Sequence, residues 1–139
     1  MMKFRMDRIS IDQFAILTDN SENIQTFSIE VSFSYAENSH KIAVNFGFTF
    51  NREEEKALIL KVICEFLINK EDWNKACHDG ICTIHASMLQ YLASQTVGAA
   101  RGILFCKCAG TPFEQKIIPP VNIAKLVTDD LEFPVTAQP

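Results

Sequence analysis

Phe27-Ser28-Ile29-Glu30-Val31-Ser32-Phe33-Ser34-Tyr35 decides the fold class. Apolar and polar residues alternate, so Phe27, Ile29, Val31, Phe33 and Tyr35 share one side and Ser28, Glu30, Ser32 and Ser34 the other. That period of two is the pattern of a half-buried strand. Ala36-Glu37-Asn38-Ser39-His40 then supplies turn-forming side chains. A second alternation follows, with Ile42, Val44, Phe46, Phe48 and Phe50 opposed to Ala43, Asn45, Gly47 and Thr49. After the charged connection Asn51–Lys56, a third row runs through Leu58, Leu60, Val62, Cys64, Phe66 and Ile68. Upstream, Phe4 to Leu17 is strand-like with an irregular phase, which a bulge would explain. Four strands in succession with short polar links predict an antiparallel meander or Greek key.

Beyond residue 68 the period changes. Asn69 is placed to cap a short helix over Lys70–His78, with Gly80 ending it. From Thr83 to Lys107 there is no proline, and Ile84, Met88, Leu92, Ala99 and Ile103 recur at helical spacing. Gly110 and Pro112 close this long helix. Asn122, after Pro119-Pro120-Val121, is a good cap for a last helix with an apolar stripe of Ile123, Leu126, Val127 and Leu131. Strands first and helices second predict an α+β fold, a four-stranded antiparallel sheet followed by a long helix and a shorter C-terminal helix. No linker or repeat divides the chain, so residues 1–139 read as a single domain.

Ser94, Gly98, Gly102 and Cys106 recur every four residues and leave a strip of the long helix almost without side chains. Two interior glycines cost a helix roughly 1–2 kcal/mol. Either the helix approaches its own sheet closely here, or a second copy of the helix crosses at this strip as an oligomer interface.

Composition narrows the function. The chain has 139 residues and a formal net charge of -4, so it offers no phosphate-seeking surface and nucleic acid is not an expected partner. No apolar run approaches the roughly 18–20 residues of a membrane span, and membrane insertion is not expected. The start, Met1 to Arg8, alternates charged and apolar residues with no signal-peptide core, which points to the cytoplasm. Five cysteines there argue against a disulfide framework. Phenylalanine is unusually frequent, at 11 residues against 2 tyrosines and 1 tryptophan.

Cys77-His78-Asp79-Gly80-Ile81-Cys82-Thr83-Ile84-His85 is the one cluster with possible metal or thiol chemistry. On a helix Cys82 and His85 would share a face, and Cys77 or His78 could complete a zinc site or a Cys–His nucleophile pair. Against this, no second paired motif exists, and cysteine commonly serves as a small buried hydrophobe. Cys106 and Cys108, two apart on a helix, point in divergent directions and do not suit a redox pair. No metal, cofactor or catalytic residue is therefore assigned. Arg101, in a helix of small apolar residues, is expected to pair with Glu65 or Glu114 and hold helix and loop together.

The order of four strands, long helix, loop and final helix resembles the SecB-type protein-export chaperones. The similarity is most specific from Tyr91 to Val127. Ala100-Arg101 lies in the long helix, Gly110-Thr111-Pro112-Phe113 follows its end, and Ile118-Pro119-Pro120-Val121-Asn122-Ile123 leads into a helix carrying Leu126. Phe4-Arg5-Met6-Asp7-Arg8-Ile9 also looks like the first strand of that family. The resemblance implies a homotetramer, a dimer of dimers, that holds unfolded polypeptide clients in apolar grooves without ATP or a cofactor. Such grooves are edged by sheet and helix, which makes Phe46, Phe48, Phe50, Tyr91, Leu92 and Phe113 the expected client-binding residues. The implied role is an ATP-independent holdase for protein export or transport, or for a dedicated client such as an antitoxin, rather than an enzyme. Two features depart from the family: Pro112-Phe113 reverses its Phe-Pro order, and the tail Asp129–Pro139 is short and broken by proline. Relatives use a longer tail to engage the translocase motor, so the tail weakens the expectation of coupling to export. The contrasting readings are a small metal- or thiol-dependent enzyme using Cys77–His85, and an inert oligomeric scaffold.

Overall fold

The three apolar rows read from the sequence become adjacent strands whose buried sides coincide. A computed structural model describes residues 1–136. Strands β1 (Phe4–Ile16), β2 (Ile24–Ala36), β3 (Lys41–Arg52) and β4 (Glu55–Ile68) form one antiparallel sheet in the order β1-β4-β3-β2. The last three strands are a meander and the first returns beside the fourth, which is Greek-key order. Val44 stands opposite Cys64, Phe46 opposite Val62 and Phe48 opposite Leu60, all six buried. Each such side chain removed from water contributes about 1.5–3 kcal/mol.

β1 follows the same face by an irregular route. Its register shifts twice, between Met6 and Arg8 and between Ile11 and Gln13. Without those bulges, Ile9 and Ile11, at odd positions, would lie on the opposite face from Phe4, Met6, Phe14 and Ile16. With them, all six oppose the buried row: Ile9 meets Cys64 and Ile11 meets Val62. The other side of the sheet is mixed: Ile59, Ile63 and Leu67 of β4 are half-buried there, beside an ionic cluster in which Lys41 Nζ lies 3.1 Å from the Asp7 carboxylate and 3.8 Å from Glu65.

Helix α1 (Lys70–Lys75) follows, capped as expected by the Asn69 side chain, which accepts from the Asp72 amide at 3.2 Å. It stops earlier than the sequence suggests. Strands β5 (Cys77–His78) and β6 (Ile81–Ile84) form a hairpin, because Asp79 and Gly80 both take positive φ, 53° and 79°. An Asp-Gly pair of this kind is the turn that matches strand twist. The long helix α2 therefore spans Ala86–Cys108 rather than starting at Thr83. Its first amide, that of Ala86, donates to the Asp130 carboxylate at 2.7 Å, so the cap comes from a distant part of the chain. Helix α3 is a single turn, Ile123–Leu126, capped by Asn122. Leu131, read as its fourth apolar contact, belongs instead to strand β7 (Leu131–Pro134), which pairs with β6.

α2 lies across β3 and β4. Met88, Leu89, Leu92, Ala93, Val97, Ala100 and Leu104 of the helix join the strands in one core, with Phe113 and Ile118 from the following loop. Thr96 is the buried polar residue of that face, and its hydroxyl donates to the Leu92 carbonyl at 3.0 Å. No helix among the described residues is long and apolar enough to cross a membrane.

Candidate functional site

The sheet is wider than the helix covering it. α2 rests on the two central strands, and the outer strands extend the same apolar face beyond it. On the β1 flank Ile9 and Ile11 remain 49% and 43% exposed, although their partners Cys64 and Val62 are buried. On the β2 flank Phe27 is 46% exposed and Tyr35 43%, while Ile29, Val31 and Phe33 are half-buried. Tyr91 of α2 closes edge-on to Phe4 of β1 at 5.5 Å, and Phe4 in turn meets Phe66 at 5.7 Å. An aromatic and aliphatic ledge thus runs beside the helix on the β1 side. At the far end of α2, Phe105 and Ile117 are 71% and 72% exposed, around a cavity of about 370 Å3 that Arg101 and Glu114 also line.

The six expected client contacts separate sharply. Phe46, Phe48, Phe50, Leu92 and Phe113 are all buried, and only Tyr91 lies at the surface. The phenylalanine stripe belongs to a central strand, and a central strand is the part that one helix covers best. The surface apolar residues come from the edge strands, whose alternation is as regular but whose cover is incomplete. The signal for them was topological: in this strand order the first two strands are both edges.

Ser94, Gly98, Gly102 and Cys106 are all exposed. A Cβ added at Gly98 or at Gly102 would meet nothing within 4 Å. The close approach to the chain's own sheet is therefore overturned: the strip lies on the outer face of α2, between Tyr91 and Phe105. Arg101 does tie helix to loop, but through different partners. Its Nε donates to the Ile118 carbonyl at 3.0 Å and a terminal nitrogen to the Pro119 carbonyl at 2.9 Å. Those carbonyls sit in an irregular segment ahead of Pro120, where no ladder supplies donors, and charge-assisted bonds satisfy them. Glu65 is engaged instead by Arg8 and Lys41 on the opposite side of the sheet.

The Cys77–His85 segment is a hairpin rather than a helix, so the three-residue spacing of Cys82 and His85 does not bring them together. Cys82 is fully buried, whereas the His85 side chain is 77% exposed and 3.6 Å from Asp130. His78 is exposed as well. Cys77 and Cys82 do converge, since both sulfurs lie against the Trp73 carbonyl, at 3.2 and 3.9 Å. Burial pushes the Cys82 thiol up to about 12, with the neighbouring Cys77 adding to the effect. Burial also raises the Cys64 and Cys108 thiols, against hydrogen bonds from Thr96 and Thr111 that act in the other direction. Among the described residues no three His, Cys, Asp or Glu side chains gather as a metal site would require. Cys106 is exposed and Cys108 buried, facing apart as their spacing on a helix requires.

No model of a known protein family matches this chain, and no curated protein is significantly similar to it.

Proposed function

We propose that the chain is a divergent SecB-like chaperone, a non-enzymatic, ATP-independent holdase that binds unfolded polypeptides in the cytoplasm as a homotetramer. Its clients are export precursors or one dedicated partner such as an antitoxin. The observation that carries this reading is the uncovered apolar margin of the sheet, Ile9 and Ile11 on one flank and Phe27 on the other. Exposed apolar area of this kind marks interaction sites on soluble proteins. Each margin runs along an edge strand of 13 residues, which can add an extended client through backbone hydrogen bonds while the ledge takes its apolar side chains. The same edges would otherwise invite aggregation, so a protein that keeps them needs something to place there. The resemblance in strand order, helix order and the Pro-Val-Asn neighbourhood supports the same reading. The bare strip on the outer face of α2 supports assembly through that helix, because small residues let two helices approach closely.

The test is light scattering from an aggregating client with and without the protein at equimolar chains and no nucleotide. Suppression that weakens in Ile11→Glu and Phe27→Glu is the expected result. No delay of aggregation, together with no binding of unfolded chains, would refute the holdase reading and leave the fold untouched.

A further inference from the structure

Cys77 and Cys82 are register partners across the hairpin. The next pair outward is hydrogen-bonded, with the Thr83 amide donating to the Ala76 carbonyl at 3.0 Å. The pair closing the turn, His78 and Ile81, is the other neighbour. Hydrogen-bonded and non-hydrogen-bonded pairs alternate along antiparallel strands, so Cys77 and Cys82 occupy a non-hydrogen-bonded site, where Cα atoms lie about 4.5 Å apart. That falls within the roughly 4.4–6.8 Å a disulfide spans. Their side chains share one side of the hairpin, as the common contact with the Trp73 carbonyl requires.

We propose that Cys77 and Cys82 form a reversible cross-strand disulfide under oxidising conditions, closing the hairpin that carries the C-terminal strand. The oxidant is a low-molecular-weight disulfide. Cys77, the partly exposed member, attacks as the thiolate and expels one thiolate of the oxidant, leaving a mixed disulfide. Cys82 then passes its proton to the small thiolate released in the first step, attacks the Cys77 sulfur and expels the second thiolate, which takes a proton from solvent. Two protein thiols and one small disulfide become one protein disulfide and two small thiols. Burial holds the Cys82 proton in the reduced state, which assigns first attack to Cys77. The Trp73 carbonyl keeps the Ala76 amide as donor at 3.1 Å, so oxidation leaves no orphaned acceptor. The bond would fix β6, and β6 holds β7 through four paired residues, with Phe133 of β7 against Trp73 at 5.5 Å.

Trypsin releases both cysteines in one peptide, Ala76–Arg101. The full-length protein is equilibrated in glutathione buffers of rising glutathione disulfide fraction, denatured with iodoacetamide to block free thiols, and digested. At the oxidising end the peptide is expected to lose two hydrogens and carry no blocking group, and dithiothreitol followed by a second alkylation should yield two blocked thiols. In Cys82→Ser, Cys77 should stop as the glutathione adduct. A wild-type peptide with two blocked thiols at every ratio, or one halted at the Cys77 adduct with Cys82 still free, would overturn the proposal.

Discussion

The two faces of α2 are built from different residues and meet different fates. Its inner face carries Leu89, Leu92, Ala93, Val97, Ala100 and Leu104, all buried against β3 and β4. Its outer face carries Tyr91, Ser94, Gln95, Gly98, Gly102 and Phe105, all exposed. A helix that ends at water usually puts charge on its far side. Here no acidic or basic residue occurs from Ala86 to Ala100, and the outer face has glycine where solubility would favour lysine or glutamate. The inner face is explained by the chain's own sheet. On the outer face Tyr91 packs edge-on against Phe4, but Gly98 and Gly102 cost helix stability and have open space where a Cβ would stand.

Substitutions can separate the two faces. Leu92→Ala removes a fully buried side chain and is expected to cost about 2–5 kcal/mol, read from urea unfolding. Arg101→Met, at the border between the faces, removes two charge-assisted bonds to the loop. Its expected cost is about 2 kcal/mol, as two part-buried hydrogen bonds contribute a net of roughly 1 kcal/mol each. Amide exchange over residues 113–120 should rise with it. Gly98 gives the smallest effect on stability and the clearest on assembly. Gly98→Ala should stabilise the isolated chain by about 0.5–1 kcal/mol, since alanine is the better helix former and the added methyl meets nothing. Gly98→Leu should leave the circular dichroism spectrum intact and lower the mass measured by light scattering. An unchanged mass would remove the outer face from the assembly contact, and a monomeric parent protein would remove the assembly itself.

The sheet was legible because its residues alternate over long stretches, and Phe27–Tyr35, Ile42–Phe50 and Leu58–Ile68 all became strands. Even the broken phase of Phe4–Leu17 was informative, since the two register shifts in β1 are what the irregular spacing required. Short elements were not legible. Ile81–Ile84 lies directly before α2 and shares its apolar spacing, so periodicity merged the two; the Asp79-Gly80 turn was the local signal that separates them. Leu131 fits a helical stripe by coincidence, and its partner Ile84 is far away in sequence. The candidate site was less legible than the fold. Alternation identifies which side of a strand is apolar, but not whether a helix covers it, and cover depends on strand order. That is why Phe46, Phe48 and Phe50 are core while Ile9, Ile11 and Phe27 are surface.

The most direct test of a client-binding margin is amide hydrogen exchange of the protein with and without a saturating polypeptide that cannot refold, reduced and alkylated beforehand. The account predicts new protection along the edge strands, in residues 8–13 of β1 and 26–34 of β2, with β3 and β4 unchanged because their amides are already paired within the sheet. Protection confined to the β5–β6 hairpin, or no change at saturation, would contradict it.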